Sequence, residues 1–405
     1  MTMQTGREVV VTGLGCITAL GVGVKQFWSS LCNGRSGIGP SADPDRAALN
    51  DAPVAEIPGY QPADHFNARS QRFMDRISQY ALIAASEAIQ DAGLEFDAEL
   101  GERTGIILGN GMGARHTVDG ALEDLYAKNI PVPPNTIPKA IISGPSSHIS
   151  IQYGITGPSW IVSTTCASSN HALGQAWDLI RSGQADVVIA GGTEAPITVP
   201  TFKAWQALRI LDTVTCRPFS KDRQGLVLGE GAGIIVLEAA EHAQARNARV
   251  YCRLAGYGCS SDAYDLTKVS PAGAARAIKT ALKTADLEPV DIGYINAHGT
   301  GTPLNDSAET AIIHGIFTTH APNLLISSTK SMHGHALGAS GSFEFIAVAK
   351  ALAEQVIPPT ANFTTAGDDC DLDYVPNIAR PAEIQAAISN AFGFGGVNAV
   401  LAATR

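Results

Sequence analysis

The chain lacks paired cysteine spacing, has no apolar run long enough for a bilayer, and carries no excess of basic charge. Seven cysteines, an odd number scattered from Cys16 to Cys370, argue against a disulfide framework and for reduced thiols in a cytoplasmic setting. No uninterrupted apolar stretch approaches the ~18 residues of a membrane span. The first residues, Met1-Thr-Met-Gln-Thr-Gly6, lack the apolar core of a signal peptide. With 28 Lys and Arg against 38 Asp and Glu, the formal charge of −10 argues against general attraction to nucleic acid or anionic membrane. What is present is ordinary for a packed α/β protein: 405 residues, 45% hydrophobic and 16% charged, enough for two or three average domains.

Strand-like runs at 9–12, 105–108, 187–190 and 234–237 alternate with helix-like runs at 77–92 and 172–182, the pattern of an α/β layered fold. A second series follows, with strands expected at 250–255, 292–297, 324–328 and 399–402 and helices at 272–285, 307–314 and 343–354. The similar order in both series suggests two halves, residues 1–245 and 246–405, meeting near 241–249. Residues 41–68 and 126–145, rich in proline, read as loops or caps.

Cys166 ends the run Val162-Ser-Thr-Thr and opens a stretch in which Leu173, Ala176, Trp177 and Ile180 recur with helical spacing, so one helix face should be buried. A thiol at a helix N-terminus is expected to be stabilised as thiolate, a nucleophile. The alternative for a single cysteine is a small buried hydrophobe. Two distant segments weigh against that alternative. His298 lies where the strand Tyr294-Ile-Asn-Ala empties into Gly-Thr-Gly-Thr302, and Lys330-Ser-Met-His-Gly-His335 follows another strand. Asn390-Ala-Phe-Gly-Phe394-Gly-Gly396 adds glycines around two aromatics, where backbone N–H groups can approach a ligand. His333-Gly-His335 has no matching third and fourth ligand, so no metal is expected there.

These segments, with Val9-Val-Val-Thr-Gly-Leu-Gly15, Arg217-Pro-Phe-Ser-Lys-Asp-Arg-Gln-Gly225 and Leu228-Gly-Glu-Gly-Ala-Gly233, together resemble the elongating β-ketoacyl-acyl-carrier-protein synthases of the thiolase superfamily, over essentially the whole chain. The resemblance implies an α/β thiolase-like fold, two repeated βαβαβαββ halves in a five-layered αβαβα arrangement, with the active site between them. It implies a decarboxylative Claisen condensation in which Cys166 holds the acyl group. The N–H groups of Cys166 and Phe394 would form the oxyanion hole, and His298 and His335, as neutral imidazoles, would stabilise the enolate. Lys330 would organise the site, and Glu309, near Asp306, would either pair with it or hold a turn. Phe394 would gate the acyl pocket while Phe392 stays in the core, and Met112 would line the acyl tunnel. No cofactor is implied, because the substrates ride on the phosphopantetheine of acyl carrier protein. Candidates for docking that acidic partner are Arg69, Arg72 and Arg76, and Lys203 and Arg209.

Thr165 stands where many fatty-acid enzymes of this type carry alanine, and Asn305-Asp306 and Thr193-Glu-Ala-Pro196 lean toward type II polyketide ketosynthases, which work beside a chain-length-factor partner lacking the cysteine. A homodimer and a heterodimer with such a homologue therefore both stand open. Retention of Cys166, His298 and His335 speaks for the catalytic member over a silent subunit. A degradative thiolase would need a second catalytic cysteine where Phe-Gly-Phe-Gly-Gly stands.

Overall fold

The computed structural model describes residues 6–268 and 270–405. The first half runs β1 (Val9–Thr18), α1 (Arg76–Ala92), β2 (Thr104–Gly109), α2 (Gly144–Tyr153), β3 (Ser159–Val162), α3 (Ser168–Arg181), β4 (Val187–Glu194) and β5 (Gly231–Ala239). The second repeats it: β6 (Cys252–Ser261), α4 (Pro271–Ala285), β7 (Ile292–Asn296), α5 (Pro303–Phe317), β8 (Leu325–Ser327), α6 (Ser340–Glu354), β9 (Ala386–Gly393) and β10 (Val397–Thr404). Both halves are thus βαβαβαββ. Their strand orders are β3-β2-β4-β5-β1 and β8-β7-β9-β10-β6, and the two join edge to edge through antiparallel pairing of Val10 with Arg253 and Val11 with Cys252.

The repeat has a local cause in sequence. Gly13 and Gly15 on β1 let α1 lie directly against the strand, since a Cβ there would fall 2.2 Å from Ala88 O and 2.0 Å from Ala84 O. Gly256 and Gly258 do the same on β6, where a Cβ would fall 2.4 Å from Ala281 O and 2.2 Å from Ala277 O. Small residues on both sides permit this approach. Asp75 caps α1 by accepting from Ile77 N at 3.2 Å, and Gly93, at φ +64, ends it.

Helices α1, α2, α4 and α5 cover the outer faces, while α3 and α6 pack against strands of both half-sheets. This makes five layers, αβαβα. The position of α3 changes one expectation: Leu173, Ala176, Trp177 and Ile180 are buried, but so is nearly the whole circumference of the helix, because it has a sheet on each side. It also begins at Ser168, four residues earlier than its apolar spacing indicates. Within the proline-rich 126–145 stretch a short helix, Thr136–Ala140, forms. Among the described residues, no helix is long and apolar enough to cross a membrane.

Candidate active site

Cys166 occupies a 3-10 turn, Thr165–Ala167, between β3 and α3. The turn is sharp because Thr165 takes a left-handed conformation, φ +52. It is held by Ser168, whose hydroxyl accepts from Thr164 N at 2.9 Å and donates to Thr165 O at 2.7 Å. The thiol is buried at 7% exposure, and His335 Nε2 lies 3.1 Å from its sulfur. Burial pushes the thiol up to about 11, although the Lys330 charge and the N–H groups of Phe394 and Cys166 itself pull it down. Burial thus works against the thiolate expected at the helix end.

His298 follows β7 and His335 follows β8, so adjacent parallel strands deliver both imidazoles to one place. Their rings stand 5.6 Å apart and nearly perpendicular, at 84°. Burial first, and the Lys330 charge second, push both well below the ordinary histidine range, which keeps them neutral. The Nδ1 atom of His335 lies 2.8 Å from Ser340 Oγ, a group able to donate or accept, so either tautomer is satisfied. The His335 backbone is fixed by Leu228-Gly-Glu-Gly: its N–H donates to Val227 O at 2.7 Å and its carbonyl accepts from Gly229 N at 2.9 Å. Phe392, in the core, packs its ring 5.8 Å from that of His298.

Lys330 is fully buried and donates to His298 O at 2.7 Å. Its ion-pair partner is Glu344 on α6. Of the two roles left open for Glu309, the structure takes the turn: the carboxylate accepts from His298 N at 2.9 Å, Gly299 N at 2.8 Å and Asn390 Nδ2 at 3.0 Å. Asp306 likewise ties loops together, accepting from Phe219 N at 2.8 Å and Gly301 N at 3.2 Å, and burial pushes its carboxyl up to about 6. The Arg217-Pro-Phe-Ser segment is thereby anchored under the His298 turn.

The turn Leu337–Ala339 before α6 repeats the Cys166 turn. Leu337 has φ +45, and Gly338 stands where Cys166 stands in the first half. The buried Glu194, at the end of β4, accepts from Gly338 N at 3.0 Å, Gly111 N at 2.7 Å and Met112 N at 3.1 Å. Burial nevertheless pushes this carboxyl up to about 7. Met112 packs with Trp205 and Phe202 against Leu337, and Trp205 stacks on Phe394 at 5.8 Å.

Sequence reading did not assign Glu344 or Glu194, whose contacts lie 14 and 144 residues away, to Lys330 and Gly338. Nor did it find the buried oxygens Asn296 Oδ1, Glu344 Oε2 and Ser389 Oγ, which have no hydrogen-bond partner. Asn296 and Ser389 stand opposite each other on β7 and β9. The buried Nε2 atoms of His116 and His171 also lack hydrogen-bond partners.

Arg69 lies on the helix Ala68–Gln71 and Arg72 just after it, exposed and without an ion-pair partner among the described residues. Lys203 and Arg209 flank Trp205 and are also exposed. Arg76 does not belong with them: it is drawn in to Asp43 at 3.2 Å, beside the buried Arg46–Glu230 pair.

The model of the β-ketoacyl synthase N-terminal domain matches residues 6–243, and that of the C-terminal domain matches residues 251–364. The chain belongs to the β-ketoacyl synthase family. Family members similar to it include nodulation protein E of Rhizobium sp. (strain N33), 43% identical over 98% of both chains. The 3-oxoacyl-[acyl-carrier-protein] synthase 2 of Staphylococcus aureus (strain COL) is 39% identical, again over 98% of both. Among solved structures, the ishigamide ketosynthase/chain length factor superposes with a TM-score of 0.93 at 36% identity, covering 98% of this chain and 99% of that one. A type II PKS acyl-carrier protein in complex with its ketosynthase bound to the hexaketide contains a chain that superposes with a TM-score of 0.90 at 33% identity, covering 98% and 99%. The thiolase-like fold and the condensing-enzyme class follow from family membership together with the five layers.

Proposed function

We propose that this chain joins an acyl thioester, held on Cys166, to malonyl-acyl-carrier protein, giving 3-oxoacyl-carrier protein and CO2 in fatty-acid or polyketide chain elongation. The observation that carries the reading is the convergence on Cys166: His335 Nε2 at 3.1 Å from the sulfur, and His298 a ring's width beyond. In acyl transfer the sulfur attacks the incoming thioester while its proton passes to His335 and then to the departing pantetheine thiolate, so the imidazole ends neutral. The oxygen of the tetrahedral intermediate is met by the N–H groups of Cys166 and Phe394, donors worth about 3 kcal/mol each in such sites.

In condensation, loss of CO2 from the malonyl group leaves an enolate whose oxygen accepts from His298 and His335. The carbanion then attacks the Cys166 thioester, and the released thiolate takes a proton from solvent. Neutral imidazoles suit this step because they donate hydrogen bonds without trapping the carbanion with a proton. Burial, and after it the charge of Lys330, keeps them neutral, while Lys330, held by Glu344, fixes His298 through the backbone.

The carrier protein would approach beside Phe394 and Trp205, with Lys203 and Arg209 as cations for an acidic partner. A second subunit suits edge strand β3 and the exposed Tyr126, Ile137 and Ile151 in the preceding segments. Its occupant would be a like partner or a chain-length-factor homologue. The test is intact-mass analysis after incubating the chain with a graded acyl-carrier series and malonyl-carrier protein, with Cys166→Ala as control. The expected result is an acylated chain and 3-oxoacyl products, both lost in the variant. Acylation without elongation would point to a missing partner subunit, and no acylation would refute the reading.

A further inference from the structure

Thr165, one residue before the nucleophile, has φ +52. A β-branched side chain disfavours this left-handed conformation, which glycine would hold more easily. Leu337 takes the same conformation, φ +45, in the equivalent turn of the second half, so the turn sets the backbone and what Thr165 adds is its hydroxyl. Thr165 Oγ1 lies 2.8 Å from Thr164 O and 3.1 Å from Phe394 O. A hydroxyl has one hydrogen to donate, so it serves either carbonyl or is shared between them. The second carbonyl belongs to the loop after β9, which leaves the hydroxyl room: a Cβ on Gly393 would fall 2.3 Å from Thr165 Oγ1.

The same loop is held a second time through its side chain. The Phe394 ring stacks on Trp205, with planes 19° apart. Trp205, half-buried on the helix Val199–Ala207, shares an apolar cluster with Met112, Phe202 and Leu337. Phe394 is therefore gripped at the backbone by the nucleophile turn and at the ring by the wall beside Met112.

We propose that Thr165 and Trp205 form a clasp on the Phe394 loop, and that the strength of this clasp sets which acyl chains reach Cys166. The proposal rests on Phe394 being the gate. Thr165 is a positioning residue, since it acts through that loop. One solvent-exposed hydrogen bond can change the open population only severalfold, enough to discriminate between chain lengths without locking the gate.

The test compares alkylation of Cys166 by iodoacetamide and by an N-octyl iodoacetamide, followed by peptide mass mapping in the wild type, Thr165→Ala, Thr165→Ser and Trp205→Ala. In Thr165→Ala the ratio of the octyl rate to the small-reagent rate should rise about three- to tenfold, the scale of one lost hydrogen bond. Thr165→Ser keeps the hydroxyl and should stay within about twofold of the wild type, while Trp205→Ala should raise the ratio. An unchanged ratio in Thr165→Ala overturns the clasp, as does a serine variant that behaves like the alanine one. Equal changes in both rates also overturn it, because they would report a disturbed nucleophile turn. Alkylation needs neither carrier nor condensation, so its outcome is separate from that of the proposed function, which fails instead if the wild type takes no acyl group from carrier protein.

Discussion

The two halves of the molecule build the same turn and use it differently. In each, a strand leads to a 3-10 turn with a non-glycine residue at positive φ, Thr165 or Leu337, and then to a central helix. The first turn carries Cys166, with its side chain against His335. The second carries Gly338, whose N–H is taken by Glu194 and whose Cα faces Gly111. The backbone geometry that presents a nucleophile is thus repeated, but its chemistry is not. One half supplies the sulfur, and the other supplies both imidazoles, the lysine and a glycine small enough for the two turns to touch.

This comparison can be broken most severely at Lys330, which belongs to the second half alone. Lys330→Ala leaves Glu344 buried without its partner, and removing one member of such a pair typically costs about 3–5 kcal/mol. Chemical denaturation should show a loss of that size, and Lys330→Ala/Glu344→Ala should recover part of it. Equal stability in the single variant would mean that the pair contributes nothing.

The next largest effect sharpens the contrast at Cys166. A thiol whose titration is raised to about 11 should alkylate about tenfold faster per pH unit from pH 7 to 10. The sign follows from burial, which penalises the charged form, so the thiolate appears only as pH climbs toward 11. Peptide mapping separates Cys166 from the other six cysteines. A plateau by pH 8 would mean that the helix terminus, rather than burial, governs the sulfur.

The smallest effect concerns Gly338. A Cβ there would lie 2.4 Å from Gly111 N and 2.7 Å from Glu194 Oε2. Gly338→Ala must push backbone aside, and overpacking of this kind costs about 1–3 kcal/mol. A lower denaturation midpoint is expected, with slower acylation because Gly111 also abuts Thr165 O. A wild-type midpoint would show that the turns have slack between them.

Much of the site was legible because the reacting groups sit in short segments where strand-like runs end, with glycines beside His298, His335 and Phe394. Cys166, His298, Lys330, His335 and Phe394 could all be picked out this way. The roles of carboxylates were less legible. Glu309 had two possible uses, and Glu344 and Glu194 sit inside apolar helix and strand patterns with nothing local to set them apart. Arg76 looked like one of a row with Arg69 and Arg72, yet the first turn of α1 carries it inward to Asp43.

Apolar period, turn glycines and reactive side chains are local properties, so the order of strands and helices and the residues able to do chemistry could be read along the chain. The sequence also set the close approach of α1 to β1 and of α4 to β6, through Gly13, Gly15, Gly256 and Gly258 opposite alanines. The tertiary structure alone decided which groups meet and which are charged. Only when two half-sheets close on α3 and α6 does Cys166 lose its water, and that burial is the largest influence on the sulfur, pushing its thiol up.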